Sequence, residues 1–267
     1  MLGNIHIYNG TFSDVVNVQE IYRYVKKLLP KVQIYIHDEF VLHFVLKNSQ
    51  EKVSERIQKI AALCAQIKIT EPHIKKRTTA PLYGEIEYEK RRLFNTIHQP
   101  SGILYNGEKL WALYNNVLAE EERCFASCHI ALTNQLFATW DTNDKRYHAR
   151  TSIYGIPSII SISGLVEAPA RSRSYYLSRH MGHPNEALEE KFRNEFLTYD
   201  DTRMTQIVKG YIAQALFYHL AGDPFCTDPG CRLFNAHWQH ELIYAQLDSS
   251  YEFCPEHQRV LQCFNSR

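Results

Sequence analysis

Residues 201–222 read DTRMTQIVKGYIAQALFYHLAG, which is the most regular helical pattern in the chain. Apolar side chains recur there at intervals of three and four residues, so we expect a helix over Thr202–Leu220 with one apolar stripe. Asp201 or Thr202 caps its start, and Gly222 closes it. The stripe consists of Met204, Ile207, Val208, Tyr211, Ile212, Ala215 and Leu216.

Short strands precede this helix and alternate with further helices. Val53–Ile67 is typical of an amphipathic helix, and Val41–Leu46 is interpreted as an additional strand. Interleaved strands and helices favour an α/β fold in which a mixed sheet packs against helices. We expect a single domain over residues 1–267, with a sheet-containing part over 1–200 and the long helix and its extension over 201–267. The other predicted strands are Asn4–Tyr8, Val32–His37, Cys128–Leu136, Tyr147–Tyr154 and Ser158–Ser163.

The charge balance of the chain is close to neutral. The 30 Lys and Arg residues stand against 29 Asp and Glu, a net charge of +1 over 267 residues, which argues against a nucleic-acid-binding surface. No apolar run approaches the roughly 20 residues of a membrane-spanning helix. The start, MLGN, has neither a cationic segment nor an apolar one. We therefore expect a cytoplasmic protein without membrane contact.

Seven cysteines, an odd number, indicate free thiols or metal ligation more than a disulfide framework. Four of them are scattered along the chain and are interpreted as small buried apolar side chains. These four are Cys64, Cys124, Cys128 and Cys263.

The other three cysteines form two short pairs with a histidine near the C-terminus. They occur in Cys226-Thr-Asp-Pro-Gly-Cys231 and in Cys254-Pro-Glu-His257. Zinc prefers four tetrahedral ligands drawn from thiolate and imidazole. The pattern predicts one structural zinc per chain, in a closed site with no position for a catalytic water. The alternative interpretation is three unpaired cysteines and a surface histidine.

A polar group lies between the two pairs and comprises Asn235, His237, His240 and Glu241. His237 and His240 are three residues apart and would share one helix face, as a ligand pair or an acid–base pair. The H-E-x-x-H spacing of zinc peptidases is absent here. The alternative is therefore a polar helix face beside Trp238.

The order of elements and the C-terminal cysteines resemble the archaemetzincin family of zinc metallopeptidases. In that family a strand–helix–strand start leads to a long helix carrying H-E-x-x-H-x-x-G-x-x-H, and a four-cysteine structural zinc site follows. Cys226, Cys231 and Cys254 match three of those cysteines, and His257 takes the fourth position. The resemblance implies a zincin-like domain with a zinc-binding C-terminal subregion. It spans most of the chain by element order, but its specific residues lie in 219–257.

The same alignment extends upstream from Cys226. It places His219 on the second ligand histidine and Gly222 on the glycine of the turn. A zinc hydrolase needs three protein ligands and a carboxylate base, and the remaining family positions do not supply them. The resemblance thus implies a metallopeptidase-like pseudoenzyme with the structural zinc kept and the catalytic zinc lost, and a peptide or protein as its partner. The substituted positions are Ala215 and Phe225 for histidines, Leu216 for the glutamate and Leu233 for the methionine turn.

A different catalytic site in the same cleft is a second interpretation. Its candidates are His148 and Arg150 on the predicted strand before the helix, together with Glu167 and His219. Each candidate has an ordinary alternative. His148 and Arg150 suit an edge-strand polar pair, Glu167 an exposed loop carboxylate, and His219 a hydrogen-bonded histidine near a helix end.

A third interpretation does not depend on the resemblance to a family. The cysteine–histidine site would stabilise a nucleic-acid or protein binding module, with Lys75–Arg77 and Lys90–Arg92 as phosphate contacts. Acidic residues flank both clusters, which is typical of a solvated surface. The near-neutral charge further disfavours nucleic acid as the partner.

Overall fold

Two β-sheets form within the part of the chain that the computed structural model describes, residues 2–11, 14–47, 52–75, 79–94 and 102–266. Their strands are β1 (Asn4–Gly10), β2 (Gln33–His37), β3 (Lys68–Ile69), β4 (Leu104–Asn106), β5 (Ser127–Thr133), β6 (Leu136–Asp141), β7 (Arg146–Arg150), β8 (Ser152–Ile153) and β9 (Ser158–Ser161).

The helices are distributed along the whole chain. A 3-10 turn at Glu120–Glu122 and a π-helical turn at Tyr244–Asp248 accompany them. The α-helices are α1 (Val18–Leu28), α2 (Phe40–Lys47), α3 (Val53–Gln66), α4 (Tyr83–Phe94), α5 (Gly107–Val117), α6 (Ile162–Glu167), α7 (Arg173–His180), α8 (Asn185–Lys191), α9 (Met204–Ala221), α10 (Gln239–Ile243) and α11 (Pro255–Ser266).

Both sheets are mixed. The first has the order β2-β1-β5-β9-β8, with parallel neighbours except for the antiparallel β8 and β9. The second has the order β3-β4-β6-β7, in which the parallel pair β4 and β6 lies between antiparallel outer pairs. The predicted α/β architecture is confirmed, although two mixed sheets are present where one was predicted.

The chain divides into two compact units. The first contains Met1–Phe12 and Gln33–Gly164, and therefore holds both sheets. The second contains Ser13–Val32 and Leu165–Arg267, and therefore holds α1 and the helices after α6. The single domain over residues 1–267, with its division at residue 200, stays a prediction.

The core of the first unit joins its sheets to helices α2–α5 through large aromatic side chains. Phe40 of α2 stacks on Tyr114 of α5, with ring centroids 4.9 Å apart. It also meets the ring of Tyr8 from β1 edge-on at 4.8 Å. All three side chains are buried, and such aromatic pairs stabilise a core beyond their buried area.

A buried carboxylate organises one side of this core. Glu89 of α4 is fully buried and binds Lys68 at 2.7 Å and Arg92 at 2.8 Å. It also accepts a hydrogen bond of 2.8 Å from the Tyr105 hydroxyl. Arg92 therefore belongs to a buried ion network, which corrects the expectation that Lys90–Arg92 is entirely solvated surface.

The second unit is built around α9, which is buried from Met204 to Phe217 except at the exposed Gln206. The predicted single apolar stripe is therefore wrong, because a helix enclosed on all sides needs apolar residues all round. The polar residues that it buries are paired: Lys209 binds Glu20 of α1 at 3.0 Å. Gly222 ends the helix in the left-handed region at φ +80°, as predicted.

The start of α9 differs from the expected cap. Arg203 occupies the N-cap position, not Asp201 or Thr202. Asp201 lies just ahead of it, where its carboxylate accepts a 2.9 Å hydrogen bond from the Arg203 N–H. A local side chain therefore still satisfies a donor at this helix end.

Several of the predicted strands have different bounds or a different structure. Val41–Leu46 lies within helix α2, where Phe40, Val41, Phe44 and Val45 are buried at helical spacing. The predicted strand Cys128–Leu136 ends at Thr133, whose hydroxyl accepts a hydrogen bond from the Gln135 N–H.

The predicted strand Tyr147–Tyr154 splits between the two sheets, because β7 pairs with β6 whereas β8 pairs with β9. The predicted Ser158–Ser163 also ends early, since Ile162 begins α6. Within the described residues no helix is both long and apolar enough to cross a bilayer.

Glu89 should be essential for the stability of the first unit. Glu89→Gln leaves Lys68 and Arg92 buried without their carboxylate, so we expect a loss of about 3–5 kcal/mol in the free energy of unfolding, measured by chemical denaturation. Glu87→Gln is the matched control, because the Glu87–Lys90 pair is 3.7 Å long and lies at the surface. If Glu89→Gln lost no more unfolding free energy than Glu87→Gln, this role of Glu89 would be contradicted.

Gly210 should be essential for close packing on α9. A Cβ at this position would collide with the side chain of Gln246, whose amide donates to the Arg232 carbonyl at 2.8 Å. Gly210→Ala should therefore lower the melting temperature, although alanine is the better helix former by about 1 kcal/mol. Gly84→Ala in α4 meets nothing within 4 Å and should be neutral or stabilising. A change of melting temperature in the same direction for both variants would contradict this close packing.

Candidate metal centre

The first ligand pair follows shortly after the end of α9. The N–H of Gly222 donates to the Tyr218 carbonyl at 2.8 Å, which closes the helix. Asp223 then accepts a hydrogen bond of 2.9 Å from the N–H of Phe225, immediately before Cys226. The turn that the sequence places at Gly222 thus positions the first cysteine.

A tight loop brings Cys226 and Cys231 to the same side. The N–H of Asp228 points at the Cys226 sulfur at 3.4 Å. The side chain of Asp228 accepts from the Gly230 N–H at 3.0 Å, and its carbonyl accepts from the Cys231 N–H at 3.0 Å. An N–H aimed at sulfur favours a thiolate ligand.

The second pair is located at the start of α11. Cys254 immediately precedes the helix, Pro255 is its first residue, and His257 lies in its first turn. Proline suits this first position because its fixed φ is already helical and it lacks an N–H that would go unpaired. The C-x2-H spacing therefore places both ligands on one helix end.

The four ligand atoms converge. They all lie within 4.8 Å of one another. The Cys226 and Cys254 sulfurs are 3.9 Å apart, and the His257 Nδ1 is 3.0 Å from the Cys254 sulfur and 3.9 Å from the Cys231 sulfur. Tetrahedral zinc would place two sulfurs about 3.8 Å apart, and a sulfur and a nitrogen about 3.6 Å apart. The arrangement therefore fits one zinc ion.

The electrostatics of the group favour a cation. Burial raises the pKa of the Cys231 thiol to about 12, and the nearby Cys226 and Cys254 raise it further, against lowering by two backbone N–H groups. Burial also raises the pKa of Cys226. Cys226 and Cys231 would thus stay protonated by themselves, whereas a zinc ion stabilises thiolates. The donor set fits zinc in chemistry as well as in distance.

Hydrogen bonds tie the two ligand segments together. The Tyr251 hydroxyl reaches both carboxylate oxygens of Asp228, at 2.8 and 2.7 Å. The Ser249 hydroxyl donates to the Gly230 carbonyl at 2.6 Å. Arg232 binds the Glu252 carboxylate at 2.9 Å. Such supporting contacts hold metal ligands in place although they do not coordinate the metal themselves.

Aromatic packing connects the group to α9. The ring of Phe217 meets His257 edge-on at 5.2 Å and lies 5.5 Å from the ring of Phe253. Phe217 and Phe253 are buried. Loss of the ligand cluster would therefore also disturb the buried helix.

The candidates for a rebuilt catalytic site are held by other contacts. His148 pairs with Asp144 at 2.9 Å, and Arg150 donates to the Thr139 hydroxyl at 2.7 Å. Glu167 is exposed and accepts from the Tyr199 hydroxyl at 3.1 Å.

His219 is half-buried in the last turn of α9. Among the described residues, the group of three or more metal-binding side chains that converge is Cys226, Cys231, Cys254 and His257, and it contains none of these candidates.

The polar group around Trp238 is not one helix face. Helix α10 begins at Gln239, and Trp238 is its N-cap, so His237 lies before the helix. The Glu241 carboxylate accepts from the backbone N–H groups of His237 and Trp238, at 2.9 and 3.1 Å. Glu241 therefore caps the helix, and His237 and His240 remain exposed.

The scattered cysteines and the basic clusters are partly as expected. Cys64 and Cys128 are buried, but Cys124 and Cys263 are exposed, which corrects the prediction for those two. Of the basic clusters, Lys75 is exposed, and residues 76 and 77 lie outside the described ranges.

A histidine group in the first unit was missed by the sequence analysis. His6 and His37 lie on β1 and β2, and their ring nitrogens approach to 3.0 Å. The available signal was the alternation of His6 with Ile5 and Ile7, which places the histidine on the strand face opposite to the buried isoleucines.

The fold and this site define a mixed α/β protein with a cysteine–histidine group that could bind a metal ion. A family model described as "Probable metallopeptidase family (DUF6775)" matches residues 1–264. The chain therefore belongs to this family. Neither the curated proteins nor the solved structures contain a match to the chain.

Cys231→Ser should remove bound zinc and destabilise the fold. Metal binding at such a site is also folding energy, about 10–16 kcal/mol in zinc-finger peptides, so we expect the variant to lose about 3 kcal/mol or more in the free energy of unfolding. A chelator should lower the melting temperature of the unaltered chain in the same way. Cys263→Ser, at an exposed thiol on α11, is the control. Unchanged zinc content in Cys231→Ser would contradict the assignment.

Proposed function

We propose that the protein is an archaemetzincin-like, zincin-type member of its family that keeps a structural zinc and has lost the catalytic one. The observation that carries the proposal is the convergence of Cys226, Cys231, Cys254 and His257. They follow a helix that keeps only His219 of the family's catalytic residues. One thiolate-held zinc per chain would stabilise the fold of the second unit.

The environment of α9 supports the loss of catalysis. Ala215 and Leu216 replace the first histidine and the base glutamate of the archaemetzincin pattern, and both are buried. Leucine cannot accept a proton or orient a water molecule. Phe225, in the third histidine position, is 38% exposed and has no ligand atom. His219 by itself cannot hold a catalytic zinc, which needs three protein ligands.

The family relationship suggests the class of partner. A zincin-type scaffold without its catalytic metal would bind a peptide or a protein segment without cleaving it, as a regulatory or binding protein in the cytoplasm. The nucleic-acid alternative has less support, because Arg92 is used in the buried network with Glu89 and the net charge is +1.

The zinc-loaded chain should not cleave peptides by a metal-dependent mechanism. Incubation with a mixed peptide library, followed by mass spectrometry, should show no products beyond the blank, because neither a base nor a ligand triad is present. Peptides retained on the immobilised chain would identify the bound class.

Two further samples make the test decisive. His219→Ala removes the remaining ligand-type residue, and His240→Ala changes an exposed histidine elsewhere. Chelator-sensitive cleavage that disappears in His219→Ala but persists in His240→Ala would overturn the proposal. The melting temperature of each chelated sample separates loss of activity from loss of fold.

A further inference from the structure

A row of stacked imidazoles lies on one face of the five-stranded sheet. His6 of β1 is directly in register with His129 of β5 and with Tyr35 of β2. The ring centroids are 4.7 Å apart for His6 and His129, with an angle of 8° between planes, and 5.0 Å apart for His6 and Tyr35. His129 is buried, whereas His6 is half-buried.

A second row lies next to the first. His37 of β2 is in register with Tyr8 of β1, and their rings stack at 4.8 Å. His43 of α2 lies over this row, with its ring centroid 4.3 Å from that of His37. His37 and His43 are also half-buried. The sheet register and α2 thus bring three partly accessible imidazoles together: His6, His37 and His43.

The facing nitrogens of two of these rings form a hydrogen bond. The His6 Nδ1 and the His37 Nε2 are 3.0 Å apart. Two nitrogens bound to one zinc at 2.0–2.1 Å would lie about 3.3 Å apart at a tetrahedral angle and about 2.9 Å apart at a right angle. The observed separation falls between these values, so one ion would bridge both nitrogens once the shared proton is displaced and the two rings turn toward the ion.

The charge state of the rings is compatible with metal binding. Burial lowers the pKa of His37, and with the neighbouring His43 and His6 it brings the value to about 4. Burial also lowers the pKa of His6 and that of His43. Neutral imidazole is a preferred ligand of zinc, copper and nickel.

The nearest charged groups do not oppose a cation. Lys47 lies on the same helix as His43, but its ammonium is paired with the Glu122 carboxylate at 2.9 Å. The same carboxylate lies 3.9 Å from the His129 Nε2. Glu122 therefore neutralises the lysine and supplies negative charge at the edge of the imidazole row.

We propose that His6 and His37 bind a divalent transition metal, with Zn²⁺ as the expected ion and His43 as the third ligand. This imidazole site differs from the thiolate site in being open. Among the described residues, the group of at least three ligands already converged is the cysteine–histidine one, so His43 must swing toward the ion. Water or an anionic ligand, such as a carboxylate, would complete the coordination.

The test is a calorimetric titration with Zn²⁺. The full chain, desalted so that it keeps its thiolate-bound zinc, should bind one additional Zn²⁺. His37→Gln should weaken that second event at least about tenfold, because removal of a ligand costs no less than removal of a supporting contact. His6→Asn should do the same. His240→Gln, at an exposed histidine of the second unit, should leave the event unchanged.

Two additional measurements keep the result interpretable. Cys231→Ser should lose the first zinc and keep the second event, which separates this site from the proposed structural zinc. In the unaltered chain, Zn²⁺ should protect His6 and His37 from diethyl pyrocarbonate modification but not His240, so the site is tested even if a variant fails to fold. The absence of a second event, or its persistence unchanged in a folded His37→Gln variant, would overturn the proposal.

Discussion

The C-terminal part of the second unit depends on three thiols and one imidazole that lie close together. Two of the thiols are buried, and the other two groups are half-buried. Burial and mutual proximity raise the pKa of Cys226 and of Cys231, so the group is unfavourable as free thiolates. A bound zinc ion stabilises the thiolates, and its binding free energy adds to the stability of the folded chain. The loop from Cys226 to Cys231 and the start of α11 are then fixed relative to each other. The contact between the rings of Phe217 and His257 connects this region to α9.

The surroundings of α9 give the proposed function its physical basis. A helix that contributes a metal site must leave one face open to a cleft, whereas α9 is buried from Ile207 to Phe217. Small and apolar residues at 215 and 216 suit that enclosed position. In the proposed function the helix has changed from a source of ligands to a core element. The zinc that this proposal retains would stabilise the scaffold and take no part in chemistry.

The two metal sites would differ in kind. The cysteine–histidine group offers four converged donors and suits a slowly exchanging structural ion. The imidazole group offers two aligned nitrogens and one nearby ring, which suits an exchangeable ion with open positions. One site would stabilise the fold of the second unit, and the other would lie on a sheet face of the first unit. A protein without the archaemetzincin catalytic motif could therefore still present a metal ion to a ligand.

The sequence by itself determined the features that depend on neighbours along the chain. The α/β class follows from local periodicity, and the end of α9 follows from Gly222, which alone tolerates φ +80° there without strain. The C-x4-C and C-x2-H pairs are also local, since a tight loop and the first turn of a helix bring each pair together. The candidate thiolate site could thus be named residue by residue from its spacing.

Only the tertiary structure decided the features that depend on distant packing. The apolar run at Val41–Leu46 fits a strand or a buried helix equally, and the aromatic core around Phe40 selects the helix. Arg92 looked like surface until Glu89 placed it in a buried network. His6 and His37 are separated by 31 positions and meet because the register of β1 and β2 brings them together. Register is set by the burial of whole strand faces against other elements, and that information is not local to any segment of the chain.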